Sequence, residues 1–510
     1  MSGRFRGIVE RRAALEQAEA ARYAGKFDGS GKLSPRQRLA RLFDGGLFEE
    51  LGRFERNDSE PSAIAGDGVI TAVGRVDGQL VYAYSQDYTF LGGSLGQVQA
   101  RKIVAVQDLA LAHAAPVVAL IESGGARIQE GIDALDGYGQ IFSRNVASSG
   151  AVAQIAVIFG SCAGGASYAP ALMDFIVMVE GRSRMFVTGP DVIRAVTGEA
   201  VSFEDLGGSA VHSGTSGVVH FVAKDEVSAI ERVKTILGYI APGREVVASD
   251  GGRRSPNPFW RNKDADIDAI LPDLPSKSYD MHALIDAVCD AGSVVECQES
   301  WAQNCITAFA RIDGRAVAVV ANQPKVKAGC IDIDASDKMA RFIRTCDSFR
   351  LPIVTFVDTP GYLPGVAQER GGIIRHGAKL LYAYGEARVC KLTVVVRKAY
   401  GGAYIAMGSK ALGADRVFAF PTAEIAVMGG DAAVRIIAKK ELAQSDRPDE
   451  LLRRKVEEYR ATVMDPLVAA GKGYVDDIVL PSETRARLSA CLMAEDDVKR
   501  SFFRHGNIPL

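Results

Sequence analysis

The chain repeats itself. Arg75-Val76-Asp77-Gly78 returns as Arg311-Ile312-Asp313-Gly314, 236 residues later, and an apolar run follows each copy. Lys102 falls on Lys338 at the same spacing, and PVVALIE at 116–122 falls on PIVTFVD at 352–358. Gly164-Gly165-Ala166 then meets Gly401-Gly402-Ala403 at a spacing of 237, a slip that one inserted loop residue explains. A duplication of this length requires both halves of the 510 residues to satisfy one architecture.

Within each copy a buried β run ends in a Gly-rich turn, an amphipathic helix follows, and a second β run leads into a second Gly-rich turn. In the first copy these are PVVALIE then SGGAR, and QIAVIFG then SCAGGA; in the second, PIVTFVD then TPGYLPG, and KLTVVV then RKAYGGA. β-Branched runs bounded by glycine read as parallel strands covered on both faces, with helices over 101–113 and 335–349 as crossovers. The expected fold class is α/β, formed twice in tandem. The stretch 246–275, rich in Gly, Pro, Asp, Asn and Arg and without apolar periodicity, reads as a linker between domains at 1–245 and 276–510. The first 50 residues read as a helical interface arm, with Ser34 as a helix cap and Pro35 as the first helical residue.

With 60 basic and 62 acidic residues and a formal net charge of −2, the composition argues against nucleic-acid binding. Its apolar runs fall far short of the ~20 residues that span a bilayer. The N-terminal stretch mixes arginines with Glu10, Glu16 and Glu19 and lacks an apolar core, so neither a secretory signal nor a transit peptide is expected. Eight cysteines contain no CxxC and six histidines no HxxxH pair, so neither a disulfide framework nor a metal site is expected. A reducing cytoplasm is the expected location.

A glycine pair after a buried strand, where a helix begins, leaves backbone N–H groups pointing into the crevice at the strand ends. Such preorganised donors stabilise an enolate or a tetrahedral oxyanion, and one of them is worth roughly 3 to 4 kcal/mol in the transition state. A lone Gly-Gly pair is more often only a tight turn; two pairs at equivalent positions of two repeats point to chemistry. There is no GxxxxGK(S/T), no GxGxxG followed by an acidic residue, and no GxSxG elbow around Ser123 or Ser161. ATP hydrolysis, hydride transfer and a serine nucleophile therefore lose support. His376 is a candidate general base, although such a histidine is more often a hydrogen-bonded structural residue. Gly92-Gly93-Ser94-Leu95-Gly96, ahead of the Lys102 helix, is a candidate phosphate cradle.

GGSLG (92–96), SGGARIQEG (123–131), CAGGASY (162–168), ASDKMARF (335–342), TPGYLPG (359–365), GGIIRHGAKLLYAY (371–384), RKAYGGAY (397–404) and PTAEIAVMGG (421–430) follow one another along nearly the whole chain. In that order they resemble the carboxyltransferase (β) subunits of biotin-dependent acyl-CoA carboxylases, of the propionyl-CoA and methylcrotonyl-CoA type.

The resemblance implies two tandem crotonase-like domains related by duplication, the first binding acyl-CoA and the second biotin. It places the active site at an interface between subunits of a ring-shaped homo-hexamer. CO2 would pass from N1′ of biotin to the α-carbon of an acyl-CoA enolate. By motif, Gly164 and Gly165 would hold one developing oxyanion and Gly401, Gly402 and Ala403 the other. Which pair serves which substrate stays open. The CoA channel would be lined by Gly92, Gly93, Ser94, Gly96, Gly124 and Gly125, with Lys102 or Arg127 meeting phosphates. Tyr168 and Ile405 would line the acyl pocket, and Pro360, Gly361, Tyr362, Gly372 and Ile373 the biotin side. The chain holds no Ala-Met-Lys-Met biotin acceptor. The resemblance therefore implies a separate biotin carboxylase and biotin carboxyl carrier subunit as partner, with no metal in this chain. Ile405 stands where propionyl-type members commonly carry Asp, which implies altered acyl preference. The same fold also serves decarboxylases and transcarboxylases, and a non-catalytic CoA-binding scaffold is the reading from another class.

Overall fold

The computed structural model describes residues 3–27, 29, 31–58, 63–240, 267–272, 274, 277–494, 498, 500–502 and 504–509. The chain divides into two compact units, one of residues 1–241 with 504–509, the other of residues 242–503.

In the first unit, strands β1 (Phe48–Leu51), β2 (Val69–Val76), β3 (Gln79–Gln86), β4 (Val117–Ser123), β5 (Gln154–Ala163), β6 (Phe175–Val179), β7 (Arg184–Phe186) and β8 (Phe221–Ala223) form one sheet. Its order is β1-β2-β3-β4-β5-β6-β8, with β7 beside β5. The first three strands pair antiparallel and the rest parallel. The second unit builds the same sheet from β9 (Val295–Cys297), β10 (Cys305–Ile312), β11 (Arg315–Asn322), β12 (Ile353–Thr359), β13 (Lys391–Tyr400), β14 (Arg416–Ala419), β15 (Glu424–Ala426) and β16 (Asp477–Ile478). Its order is β9-β10-β11-β12-β13-β14-β16, with β15 beside β13.

Register makes the duplication physical. Val117 lies opposite Tyr82 and Gln154, while Ile353 lies opposite Ala318 and Lys391. The first of these pairings repeats at a spacing of 236 on both strands, and Gln154 to Lys391 at 237, so the inserted residue lies between β12 and β13. In both units the two central parallel strands are buried along almost their whole length, because helices cover both faces. Val117, Ala119, Ile121, Ala156 and Ile158 belong to one apolar core, and Val319, Ala321, Val354, Phe356 and Val394 to the other.

The crossover helices are Gln97–Ala112 and Ile333–Ser348. The first begins four residues before the expected 101, because the Glu130 carboxylate accepts the Gln97 N–H at 2.6 Å. Gln368 does the same for the Ile333 N–H at 3.0 Å. The second helix also carries a local cap, with Asp332 accepting the Ala335 N–H at 2.9 Å.

Three expectations change. Helix Pro35–Leu42 has the expected Ser34 cap, but it buries Arg38, Leu39 and Leu42 in the first unit instead of standing off as an arm. Phe48–Leu51, expected as helix, is a strand paired with β2. Residues 504–509, expected in the second domain, belong to the first unit, where Asn507 is buried. The Asn507 N–H donates to Ser149 Oγ at 2.7 Å and its side-chain amide to Asp174 at 2.9 Å. The expected linker lies largely outside the described residues, but Leu271, within it, is buried in the second core.

Candidate active site

Three loops meet at the carboxyl ends of β3, β4 and β5. Leu91, Gly92 and Gly93 all have left-handed φ, at 47°, 62° and 65°. A Cβ on Gly93 would stand 2.1 Å from the Glu122 carbonyl oxygen, so only glycine brings this loop against the end of β4. The Gly124 N–H donates to Gly92 O at 2.9 Å, the Leu95 N–H to Gly125 O at 2.8 Å and the Arg127 N–H to Leu95 O at 2.9 Å. Ser123 Oγ joins the set, donating to Gly93 O at 2.7 Å and accepting from the Gly125 N–H at 3.2 Å. The third loop opens with Gly164 at φ 59° and runs into the short turn Gly164–Ser167. An added Cβ on Gly125 would stand 2.9 Å from Ala163 O, which marks how closely this loop approaches the second.

The second unit repeats the construction. Lys327, Ala328 and Gly329 are left-handed at 47°, 53° and 75°, and a Cβ on Gly329 would stand 2.4 Å from Asp358 O. The Ile331 N–H donates to Gly361 O at 3.0 Å and the Leu363 N–H to Ile331 O at 2.8 Å. Gly401, at φ 57°, opens helix Gly401–Ala406 at the end of β13. The first N–H groups of such a turn are not consumed by its own helix. In each unit an aromatic ring stands beside the turn. The Tyr138 ring lies 3.1 to 3.4 Å from a Cβ position on Gly165, and the Tyr362 ring 3.9 to 4.0 Å from one on Gly402. Tyr362 reaches Gly402 from the loop after β12, whereas Tyr138 comes from helix Ile132–Ser148.

The predicted CoA-binding glycines Gly92, Gly93, Gly96, Gly124 and Gly125, with Ser94, are thus brought together with Gly164 and Gly165. Pro360, Gly361 and Tyr362 lie with Gly401, Gly402 and Ala403 in the second unit. Gly372 is the left-handed cap of helix Ile373–Glu386, and Ile373 is buried. Tyr168 and Ile405 stand half-exposed in different units, each on the short helix that follows its glycine turn. Phe142 packs edge-on against Tyr168 with ring centroids 6.3 Å apart.

Two side chains depart from expectation. Lys102 does not face a phosphate: it is buried, and its ammonium donates to Gly66 O at 3.1 Å and Val69 O at 2.7 Å. Burial pulls its pKa down to about 8. Lys338 holds the equivalent place, donating to Gln298 O at 2.9 Å, Trp301 O at 2.9 Å and Cys305 O at 3.1 Å. These repeated lysines tie the crossover helix to the start of a strand. Arg127 is fully buried and donates to Asp67 at 3.0 Å, Glu130 at 2.6 Å and Ser94 O at 3.1 Å. Its guanidinium clamps the first loop to the second and has no face left for a phosphate.

The strand-end carboxylates are spent as well. Burial alone would raise Glu122, but Arg38 at 2.8 Å and Lys32 at 2.7 Å outweigh it and hold it below the usual carboxylate range. Asp358 has Arg397 at 3.0 Å, and there burial prevails and raises the pKa. Neither is an unpaired general base. His376 lies on helix Ile373–Glu386 between Asp337, at 2.7 Å, and Arg375, at 3.1 Å, in a charged cluster that also includes Lys379. Sequence reading weighed Ser123 only as a nucleophile, not as the hydroxyl that joins two loops, and passed over Tyr138. The i, i+4 spacing of Tyr138 and Phe142 was the available signal for the second.

Two copies of a mixed sheet, each with a left-handed glycine turn at the end of its central strand, have the architecture of a crotonase-like enzyme. The carboxyl transferase domain model matches residues 28–508, and the chain belongs to that family. It is 48% identical over 98% of both chains to the propionyl-CoA carboxylase carboxyltransferase subunit of Haloferax mediterranei. With the methylmalonyl-CoA decarboxylase subunit alpha of Propionigenium modestum it shares 48% identity over 95% of each. The methylmalonyl-CoA carboxyltransferase 12S subunit of Propionibacterium freudenreichii subsp. shermanii is 46% identical over 100% of this chain and 98% of its own length. A transcarboxylase 12S crystal structure, described as a hexamer with methylmalonyl-coenzyme A bound, superposes with a TM-score of 0.91 at 45% identity, covering 100% of this chain and 98% of that one.

Proposed function

We propose that this chain moves a carboxyl group between biotin and the α-carbon of a short acyl-CoA of propionyl or methylmalonyl size. The observation that carries this is the pair of matching turns at Gly164 and Gly401, with φ of 59° and 57°, one at the end of the same central strand in each unit. The reaction develops negative charge on two oxygens, the thioester oxygen of the acyl-CoA enolate and the ureido oxygen of biotin as the carboxyl leaves. One turn serves each. Gly164 and Gly165 donate to one oxygen; Gly401, Gly402 and Ala403 donate to the other.

Biotin supplies the activated carboxyl group when it is bound. We assign its ureido oxygen to the second unit, where Gly402 is exposed at the turn and the Tyr362 ring stands 3.9 to 4.0 Å from a Cβ position on it. Burial pushes the Tyr362 phenol up to about 12, so it stays neutral beside the developing charge. Gly372 and Ile373 shape the same end through the start of their helix. Loops 92–96 and 124–127 form the CoA channel through backbone groups, and Tyr168 and Ile405 set acyl size. The biotin arrives on a separate biotin carboxylase and carrier subunit, and the working assembly is a homo-hexamer whose site is completed between subunits. Cytoplasmic placement fits eight cysteines without CxxC spacing. Decarboxylase and transcarboxylase relatives run the same half-reaction, so direction is set by the partner.

The test is incubation of the purified chain with methylmalonyl-CoA and free biotin while propionyl-CoA release is followed. Release that depends on biotin is expected. A folded, CoA-binding protein whose turnover ignores biotin overturns the assignment and leaves the scaffold reading.

A further inference from the structure

The two glycine turns differ in what stands behind them. Ala163 precedes Gly164, whereas Tyr400 precedes Gly401. Tyr400 is the last residue of β13 and is 7% exposed, and its hydroxyl donates to the Glu424 carboxylate on β15. The other oxygen of Glu424 lies 3.4 Å from Arg460 Nε. Arg460 opens a single π-helical turn, Arg460–Met464, at the end of helix Pro448–Tyr459. Such turns occur frequently at functional sites.

The backbone closes the same circuit. A Cβ on Gly401 would stand 3.1 Å from Val427 O, one on Gly429 3.4 Å from the Tyr400 ring, and one on Gly430 3.2 Å from Val456 and 3.9 Å from Arg460. The chain after β15 therefore packs on one side against the glycine turn and on the other against the helical segment. That segment, with helices Lys439–Gln444 and Pro448–Tyr459, has its own small apolar cluster of Val434, Ala438, Leu452 and Val456. In the first unit Glu424 is replaced at the equivalent place on β7 by Arg184, which pairs with Glu204 at 3.5 Å and has no tyrosine to hold.

We propose that Tyr400, Glu424 and Arg460 form a relay that fixes the Gly401-Gly402 turn against the helical segment, making Tyr400 a positioning residue for the second oxyanion site. The proposal rests on that turn being an oxyanion site. The hydroxyl is the only polar group of the Tyr400 side chain, and its bond to Glu424 adds to the β13–β15 ladder in which Tyr400 pairs with Ala426. Its loss leaves the ring packed and frees the turn to shift, and a misplacement of about 1 Å costs on the order of 100-fold in rate.

The experiment uses the full chain with Tyr400→Phe, Glu424→Gln and Arg460→Lys, read two ways. In hydrogen exchange, Tyr400→Phe and Glu424→Gln should speed exchange of the 405–407 amides, which bond back to the turn as Met407 does to Ala403 O at 3.0 Å, about threefold or more and leave Tyr168, bonded to Gly165 O, unchanged. In biotin-dependent turnover of methylmalonyl-CoA, kcat should fall about tenfold with KM for the CoA substrate within about twofold, and Arg460→Lys should retain both wild-type values. Wild-type exchange at 405–407 in Tyr400→Phe and Glu424→Gln overturns the relay, as does faster exchange spread across β11 and β12. Local loosening in a chain whose wild type lacks biotin-dependent turnover upholds the relay and removes the carboxyltransferase reading instead.

Discussion

Replacing Gly164 by alanine separates the folding role of the first turn from its chemical role. At φ 59° an alanine is strained, and the left-handed conformation costs an L-residue roughly 1 to 2 kcal/mol. Packing adds nothing, because the new methyl meets only Val187 O, at an ordinary 3.9 Å. For a unit of this size the loss corresponds to about 2 to 8 °C in Tm. The methyl would otherwise stand in open space, on the side proposed for the substrate oxygen. Losing one oxyanion donor costs about 100- to 1,000-fold in kcat. Gly93→Ala is the contrasting control: its methyl would stand 2.1 Å from a backbone carbonyl, which has nowhere to go, so the first unit should fail to fold stably. The assay pairs thermal unfolding with biotin-dependent turnover of methylmalonyl-CoA. A Gly164→Ala protein that keeps kcat within about threefold of wild type would falsify the oxyanion role of this turn.

Lys102→Met should leave Gly66 O and Val69 O without their buried donor and cost about 1 to 3 kcal/mol in denaturant unfolding, with KM for the CoA substrate unchanged; a large rise in KM at unchanged stability would restore the phosphate role. His282, hydrogen-bonded to Glu296 and Asp280 at 2.8 Å each, is raised to about 9 by those bonds against the opposing effect of burial. A raised pKa stabilises the fold fully below the unfolded value near 6.5 and loses that contribution as pH climbs through about 9. His282→Gln should therefore flatten the fall of Tm across that window, and parallel curves for the two proteins would refute the assignment. Ile405→Asp should change relative kcat/KM among acetyl-, propionyl- and longer acyl-CoA, by about tenfold or more for the affected chain length; identical profiles would remove Ile405 from the acyl pocket.

The duplication, the four central strands and the glycine turns were legible in the residue order, since strand and turn preferences are carried by immediate neighbours and by periodicity. PVVALIE and PIVTFVD became β4 and β12, and each glycine pair fell where a strand gives way to a helix. The helix start at Gln97 was misjudged because Glu130, thirty-three residues away, bonds its first N–H, whereas the start at Ile333 carries a local cap in Asp332 that the residue order already offered.

Charge was the least legible property. Lys102 beside a glycine-rich loop and Arg127 after SGGA look available to a phosphate, because a linear sequence shows a charge without its partner. Asp67 lies 60 residues from Arg127 along the chain, and Glu122 lies 84 from Arg38. Only closure of those long loops brings the pairs together, and a cation taken from water must find compensation wherever the fold buries it. The repeat therefore specified two α/β units with a glycine turn at the end of each central strand. Long-range packing then turned the cationic side chains inward and seated Arg38 in the core. It drew residues 504–509 back to the first unit and placed a tyrosine with its carboxylate behind one turn and not the other.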